Sequence, residues 1–156
     1  SLETIARVGQ SFCLPAAFDT LTWYGKGPWE TYADRKDAAL IGLYTSSVAE
    51  QHVPFVVPCE CGGHEDTRFA ALSDGTHTVQ IVGSDDFHFS ALPYSMAEYR
   101  KAAYEEELPE HTTGTWLILD AAHAGLGGDT GWTKNIHPEY RVCKGRYSYT
   151  FRFHFA

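Results

Sequence analysis

The sequence predicts an all-β sandwich with one short helix. Segments that alternate apolar and polar residues recur along the chain, and turns rich in glycine, proline or aspartate separate them, as in antiparallel sheets. The length of 156 residues fits one domain, and an apolar fraction of 44% is enough to form a substantial core. We therefore predict that residues 1–156 form a single all-β domain.

Seven segments carry the strand prediction. They are residues 20–24, 38–48, 67–72, 77–82, 87–90, 115–120 and 147–155. The third and fourth flank Ser73-Asp74-Gly75-Thr76, a turn sequence that predicts a hairpin. The last has the strongest two-residue period, which places its aromatic side chains on one face. We expect that face, made of Tyr147, Tyr149, Phe151, Phe153 and Phe155, to be buried.

One segment departs from the strand pattern. Residues 95–104 are good helix formers, and Pro109 follows them downstream. Ser95 is placed as an N-cap, and Glu98 stands three residues later, where a capping box requires a carboxylate. We predict one short helix near residues 95–104.

The charge balance argues against two classes of partner. The net charge is −8 and the basic residues are scattered, so neither nucleic acid nor an anionic membrane is expected to bind. No apolar run approaches the roughly 18 residues that cross a bilayer. The first ten residues have neither a basic nor an apolar region typical of a signal peptide, so we expect a cytoplasmic protein. Because the chain lacks an initiator methionine, we also expect that it was cut from a longer polypeptide.

The four cysteines do not have the spacing of a zinc site. Cys59 and Cys61 form a C-x-C pair, whereas structural zinc prefers C-x2-C with a second pair further along the chain. Cys13 and Cys143 stand alone. We expect buried free thiols and no metal.

Residues 23–35 combine aromatic, glycine and charged residues. One interpretation is a strand that ends in a turn, with Arg35 paired to a nearby carboxylate. The other is a sugar-facing surface, on which aromatic rings contact C–H groups and carboxylates accept hydroxyl protons. Further along, Glu60, Asp66 and Arg68 could form a polar cluster, an arrangement that is more often structural than catalytic.

The segment Gly125-Leu126-Gly127-Gly128-Asp129-Thr130-Gly131-Trp132 places a tryptophan in a glycine-rich loop. It lacks the lysine and the glycine spacing of phosphate-binding loops. Its glycines permit a backbone shape dictated by a neighbouring surface, with Trp132 presented at the tip. The alternative is that Trp132 folds back as a lid on its own sandwich. The sequence contains no G-x-S-x-G elbow and no H-x-x-x-H pair, so we predict no catalytic residue in this chain.

A series of motifs resembles the C-terminal, or small-chain, domain of β-galactosidases of glycoside hydrolase family 2. The resemblance covers nearly the whole chain. In order, the motifs are Trp23-Tyr24-Gly25-x-Gly27-Pro28-x-Glu30-x-Tyr32-x-Asp34-Arg35, His52-Val53-Pro54-Phe55-Val56-x-Pro58-x-Glu60-x-Gly62, Asp66-x-Arg68, Phe87-x-Phe89-Ser90-x-x-Pro93-Tyr94, Glu107-Leu108-Pro109, Gly125-x-Gly127-Gly128-Asp129-x-x-Trp132 and His137-Pro138-Glu139-Tyr140. The chain departs from the family pattern at Cys61, His64 and Thr130.

The resemblance implies a curved antiparallel β-sandwich, called a supersandwich and similar to galactose mutarotase, of which this chain is the C-terminal part. It implies a retaining glycosidase whose catalytic glutamates and Mg²⁺ or Na⁺ ions belong to a separate barrel, so the chain alone should be inactive and free of cofactors. Trp132, with a weaker contribution from Asp129, matches the residues that contact the aglycone sugar. The structural motif comprises Trp23, Gly25, Gly27, Pro28, Glu30, Tyr32, Asp34, Arg35, Glu60 and Arg68.

The resemblance also indicates partners. These are the remaining domains or large subunit of the β-galactosidase and a β-galactoside such as lactose. A homodimer through exposed sheet edges is a further expectation. Two alternatives stay open at this point: a stand-alone carbohydrate-binding or aldose-mutarotase-like module, and a purely structural domain that supports a barrel.

Overall fold

A computed structural model describes residues 4–112, 114–126, 128 and 136–156 of the chain. Nine strands and one α-helix occur within these ranges. The strands are β1 (Thr4–Ile5), β2 (Arg7–Leu14), β3 (Thr20–Gly27), β4 (Leu40–Ser47), β5 (Gly63–Ser73), β6 (Thr78–Leu92), β7 (Thr115–His123), β8 (Val142–Cys143) and β9 (Phe151–Phe155). The helix α1 spans Met96–Lys101, and short 3-10 turns cover Ala49–Gln51, Glu105–Glu107 and Pro138–Tyr140.

Seven of the strands form one antiparallel sheet in the order β2-β7-β6-β5-β3-β4, and β9 also pairs with β6. The 15-residue strand β6 organises this sheet, because it pairs with β9 near its start and with β7 near its end. β1 and β8 form a separate two-stranded ribbon. The dominance of antiparallel strands and the single short helix confirm the all-β sandwich class. Within the described ranges, no helix is long and apolar enough to cross a membrane.

The main core lies on one face of the sheet, where cross-strand neighbours align. Leu21 pairs with Leu72, which pairs with Val79, and all three side chains are buried. Trp23, two residues after Leu21 in β3, is buried on the same face and donates its indole N–H to the carbonyl of Lys26 at 3.0 Å. His64 packs against Trp23, with 4.2 Å between the ring centroids. Strand alternation therefore produces this core directly.

Local signals in the sequence are confirmed at the hairpin and the helix. Asp74 accepts hydrogen bonds from the backbone N–H groups of Thr76 and His77, which closes the β5–β6 turn. Ser95 and Glu98 form the predicted capping box at the start of α1. The helix ends at Lys101, three residues before the predicted end, because the backbone of Ala102 is extended.

The C-terminal strand prediction is partly wrong. β9 begins at Phe151, and the residues from 147 to 150 are outside any strand. The hydroxyl of Tyr147 instead donates to the carbonyl of Cys143, so this ring contributes to a loop rather than to the sheet. Phe151 and Phe153 are half-buried against the core, but Phe155 is 77% exposed.

The cysteine prediction is correct for oxidation state and mostly wrong for burial. All four cysteines are free, yet only Cys61 among them is buried. The sequence analysis also missed β2, a strand whose pairing with β7 shifts register between Val8 and Gly9. Such a bulge interrupts the two-residue period that reveals a strand.

The burial of His64 predicts a pH-dependent stability. Burial lowers the pKa of His64 to about 3, whereas the unfolded chain retains a value near 6.5. The unfolded state therefore binds the extra proton first, and stability is lost as the pH falls from about 6.5 towards 3. Each pH unit in this window should cost about 1.4 kcal/mol from this one group.

Urea unfolding at pH 6.5 and pH 5 checks this prediction. His64→Phe retains a ring in the core and removes the proton site, so it should reduce the stability lost between these pH values by about 2 kcal/mol. His77→Ala is the matched control, because its side chain is 68% exposed in the hairpin turn. Identical pH dependence in wild type and His64→Phe would contradict the prediction.

Candidate functional site

Residues 28–39, between β3 and β4, lie on the face of the sheet opposite the main core. The segment begins with a cis Gly27–Pro28 peptide bond. Thr31 donates its N–H to the carbonyl of Gly63 at 2.7 Å, and the Tyr32 ring lies 5.6 Å from the ring of His88. Gly63 is required at this contact, since a Cβ there would lie 2.3 Å from His88 Nε2. The segment is thus fixed by close backbone approach to β5 and β6.

The charged residues of this segment are paired. Arg35 forms an ion pair with Glu30, which also accepts the backbone N–H of Gly62 at 2.8 Å. The Arg35 guanidinium lies 5.8 Å from the centre of the Tyr32 ring. The prediction that Arg35 pairs with a nearby carboxylate is confirmed. Trp29, by contrast, is 58% exposed.

Asp34 holds the base of the glycine-rich segment. Its Oδ1 accepts the N–H of Leu126 at 2.7 Å, and its Oδ2 accepts the N–H of Gly128 at 3.1 Å. A Cβ at Gly125 or at Gly128 would lie 2.8 Å from this carboxyl group. The glycines therefore serve a close approach between backbone and carboxylate. The other predicted site residues, Asp129 and Trp132, lie outside the described residues.

A cavity of about 510 Å³ lies beside this contact. Trp29, Arg35 and Tyr140 contribute to its lining, together with the carboxylates of Glu30 and Asp34. An exposed indole, a guanidinium and carboxylates are groups that recognise the C–H faces and hydroxyls of sugars. The two interpretations of residues 23–35, a turn with paired charges and a sugar-facing surface, are thus compatible. The paired charges of the turn form part of the cavity wall.

A second set of charged residues lies close to Tyr32, in which His88 and Asp120 are buried and Arg7 and Glu60 are partly exposed. Arg7 donates to Asp120 Oδ2 at 2.8 Å and, through both terminal nitrogens, to Glu60 at 3.2 Å. The Nδ1 of His88 donates to the same Asp120 oxygen at 2.9 Å. Burial raises the pKa of Glu60, and the charge of Arg7 opposes that rise. Burial also lowers the pKa of His123, whose ring stacks on His88, to about 3. We call the set made of Arg7, Glu60, His88, Asp120 and His123 the outer-face charge cluster.

The predicted cluster of Glu60, Asp66 and Arg68 is wrong for Glu60 only, because Arg68 donates to the backbone carbonyl of Asp66. Glu60 belongs to the outer-face charge cluster, Asp66 accepts from Lys36 at 2.6 Å, and Arg68 pairs with Asp86 at 3.2 Å. Asp66 has a φ of 51°, the left-handed region, next to register shifts in the β5–β6 pairing. These shifts change which side chains share a face, so sequence spacing is a poor guide here.

A buried network around Cys61 resembles a nucleophile with a base and an orienting carboxylate. His52 donates from Nε2 to Glu105 at 2.6 Å, and its Nδ1 accepts from Tyr99 at 2.7 Å, while Cys61 Sγ lies 4.0 Å from that nitrogen. Burial raises the pKa of the Cys61 thiol to about 11. A thiol that is fully buried and protonated is a poor nucleophile, so the network fastens α1 to the loop before β5.

The ten residues of the structural motif are all described, and they do not form one site. Trp23 belongs to the core, Arg68 pairs with Asp86, and Glu60 belongs to the outer-face charge cluster. Residues 28–35 and the base of the glycine-rich segment are brought together by Asp34. The departures at Cys61 and His64 are both buried side chains, which assigns them to packing.

The fold and this surface define an all-β sandwich domain whose outer face carries an aromatic and acidic cavity. The chain belongs to the family described as β-galactosidase small chain, whose sequence model matches residues 1–153. This confirms the resemblance inferred from the motifs.

Several curated relatives are similar over almost the whole chain. A β-galactosidase of Vibrio cholerae is 38% identical over 148 residues, which is 95% of this chain and 14% of that protein. "Beta-galactosidase 2" of Enterobacter cloacae is 40% identical over 146 residues, or 94% of this chain, and BgaC of Bifidobacterium adolescentis is 37% identical over 145 residues, or 90%. The chain spans 14% of the length of each of these relatives.

Proposed function

We propose that the chain is the C-terminal part of the small-chain domain of a retaining β-galactosidase of glycoside hydrolase family 2. The complete polypeptide would hydrolyse terminal β-D-galactosides such as lactose. Its catalytic glutamates would lie in a separate barrel, so the chain alone would be inactive. The relatives' name and their much greater length support this proposal.

The contribution of this chain would be to the aglycone side of the pocket. The observation that supports this assignment is the pair of hydrogen bonds from Leu126 and Gly128 to Asp34, which fixes the base of the glycine-rich segment against residues 28–39. A segment anchored at its base can present Trp132 to a sugar held mainly by another domain. Asp129 would make a weaker contact with the same sugar.

Two surfaces support a partner in the form of the remaining domains or a large subunit. An apolar groove of about 780 Å³ on the core face is lined by Phe12, Leu14, Phe18 and Phe153 among others. On β4, Leu40 and Leu43 are largely exposed, and among the described strands β4 pairs only with β3. Exposed apolar area and a free sheet edge both favour association with further protein. A homodimer through the same edge and a cytoplasmic location remain predictions.

A stand-alone carbohydrate-binding or mutarotase-like module is the second candidate. The cavity beside Trp29 is the observation in its favour. The pairing of its polar groups weighs against it, since Glu30 is bound to Arg35 and Asp34 is bound to the glycine-rich segment. These carboxylates have fewer free lone pairs to offer a sugar.

Substitution of Trp132 tests the assignment in the complete polypeptide. Trp132→Ala should reduce the transfer of galactose to a glucose acceptor, relative to hydrolysis, by roughly fivefold, because one aromatic contact contributes about 1 kcal/mol. Trp132→Phe should retain part of the transfer. The measurement is the partition of product between free galactose and disaccharide as the glucose concentration is raised.

Tyr104→Ala provides the control, because Tyr104 is an aromatic residue that is 58% exposed outside the cavity. Its partition ratio should equal that of the wild type. An unchanged ratio in Trp132→Ala, or an equal loss in Tyr104→Ala, would argue against an acceptor role for Trp132.

A further inference from the structure

The cavity of about 510 Å³ beside Trp29 adjoins the base of the glycine-rich segment, and we call it the Trp29 cavity. Asp34 lines this cavity and also accepts the backbone N–H groups of Leu126 and Gly128. Tyr140 lines it as well, and its carbonyl accepts the N–H of Gly125 at 2.8 Å. The same residues therefore border the cavity and hold the base of the segment.

Three side chains of the Trp29 cavity have groups that are free to bind a ligand. Trp29 is exposed and offers an aromatic face. Asp37 is also exposed, and no described residue forms a hydrogen bond or ion pair with its carboxylate, whereas Glu30 and Asp34 are engaged. Arg35 binds Glu30 through Nη2, so within the described ranges its Nε and Nη1 keep their N–H groups. The cavity thus combines a stacking surface, an acceptor and donors.

The charges of the lining favour a neutral ligand over an anion. Three carboxylates and two basic side chains line the cavity, and the amine of Lys36 is bound to Asp66 at 2.6 Å. Phosphate or sulfate groups would therefore meet excess negative charge. The volume lies within the range of about 300–1,000 Å³ that is typical of small-ligand sites. A neutral saccharide matches these features, because its hydroxyls both donate and accept and its C–H face packs on an aromatic ring.

We propose that the Trp29 cavity binds the second sugar of the aglycone, so that the substrates include β-galactosides of disaccharides. This inference rests on the proposed function, in which Trp132 contacts the first aglycone sugar. Trp132 follows Gly128 by four residues, and four residues of extended chain reach at most about 14 Å. One oligosaccharide can therefore contact both places. Its second aglycone sugar stacks on Trp29, donates hydroxyl protons to Asp37 and accepts from Arg35.

The experiment compares two substrates of the complete polypeptide, lactose and the trisaccharide β-galactosyl-lactose, by the initial loss of each. In Trp29→Ala, the ratio of kcat/KM for the trisaccharide to kcat/KM for lactose should fall about fivefold, because one aromatic contact is lost. Asp37→Ala should lower the same ratio about threefold through the loss of a hydrogen bond. Tyr104→Ala is the matched control, since Tyr104 is as exposed as Trp29 but lies outside the cavity. A wild-type ratio in Trp29→Ala, or an equal fall in Tyr104→Ala, would overturn the proposal.

Binding without hydrolysis is a second measurement, which separates this site from the proposed function. The probe is the same trisaccharide with sulfur in place of the oxygen that links its terminal galactose, so that it is not cleaved. Saturation-transfer NMR should show contact of the wild type with the third sugar, and Trp29→Ala should lose that signal while contact with the galactose is retained. A wild type that contacts only the first two sugars would overturn the second-sugar site. A wild type that does not hydrolyse lactose would overturn the proposed function instead, and a Trp29-dependent signal from the third sugar would still support the cavity as a sugar site.

Discussion

Replacement of Asp34 by alanine is expected to lower the proposed β-galactosidase activity of the complete polypeptide by tenfold or more. Asp34 accepts two backbone N–H groups at the base of the glycine-rich segment, and each bond to a charged acceptor contributes about 1.5–3 kcal/mol. Without them, the base of the segment that carries Trp132 would no longer be bound to residues 28–39. A loss of 1.4 kcal/mol in positioning already corresponds to a factor of ten in rate.

The variants around Asp34 separate positioning from folding. Asp34→Asn keeps one acceptor oxygen and directs an amide N–H at the other backbone N–H, so its kcat/KM should lie between those of wild type and Asp34→Ala. The melting temperature should fall by only a few degrees in either variant, and unfolding should stay cooperative, since the core lies on the other face of the sheet. Asp19→Ala, an exposed carboxylate before β3, is the control. Wild-type kcat/KM in Asp34→Ala would show that this contact does not position the segment.

Strands with regular alternation could be predicted from the sequence, and irregular ones could not. The two-residue period predicts which side chains of a strand face the core, as it does for the paired residues Leu21 and Leu72. Strand β2 was not predicted, because Gly9, Gln10 and Ser11 interrupt its apolar pattern beside a bulge. The aromatic residues Tyr147 and Tyr149 extended the predicted C-terminal strand, although their hydroxyls bond the carbonyl of Cys143, four residues earlier, and that of Asp85.

The contact between Asp34 and the glycine-rich segment could not be predicted from the sequence. The family motifs singled out Asp34 and the glycine-rich segment separately, yet 92 residues separate Asp34 from Leu126. Arg7 and Asp120 are 113 residues apart, and no local spacing connects them. Arg7 was missed because its strand was missed. Contacts of this range depend on sheet order, which a single sequence specifies only weakly.

The outer-face charge cluster also explains a difference between the two faces of the sheet. The core face is apolar and follows directly from alternation. The outer face is covered by residues 28–39 and by the loop that carries Glu60, so polar side chains on it are buried as well. Buried polar groups must be paired to be tolerated. The stability of this layer is therefore electrostatic and should depend on a single shared carboxylate.

That carboxylate is Asp120, and Asp120→Ala is expected to destabilise the protein by about 3–5 kcal/mol. The aspartate is fully buried and accepts from both Arg7 and His88, so its removal leaves a partly buried guanidinium with only Glu60 as partner. Asp120→Asn keeps one acceptor and should lose less. Unfolding in urea measures the loss.

A double variant distinguishes the cost of leaving Arg7 without Asp120 from the contribution of the Arg7–Asp120 ion pair to stability. Arg7→Met combined with Asp120→Leu removes both charges and fills the space with apolar atoms. Because the large cost of the single variant comes from a largely buried guanidinium that has lost one of its two carboxylate partners, the double variant should be more stable than Asp120→Ala. If Asp120→Ala loses less than about 1 kcal/mol, or if the double variant is the less stable of the two, the carboxylate does not hold this layer together.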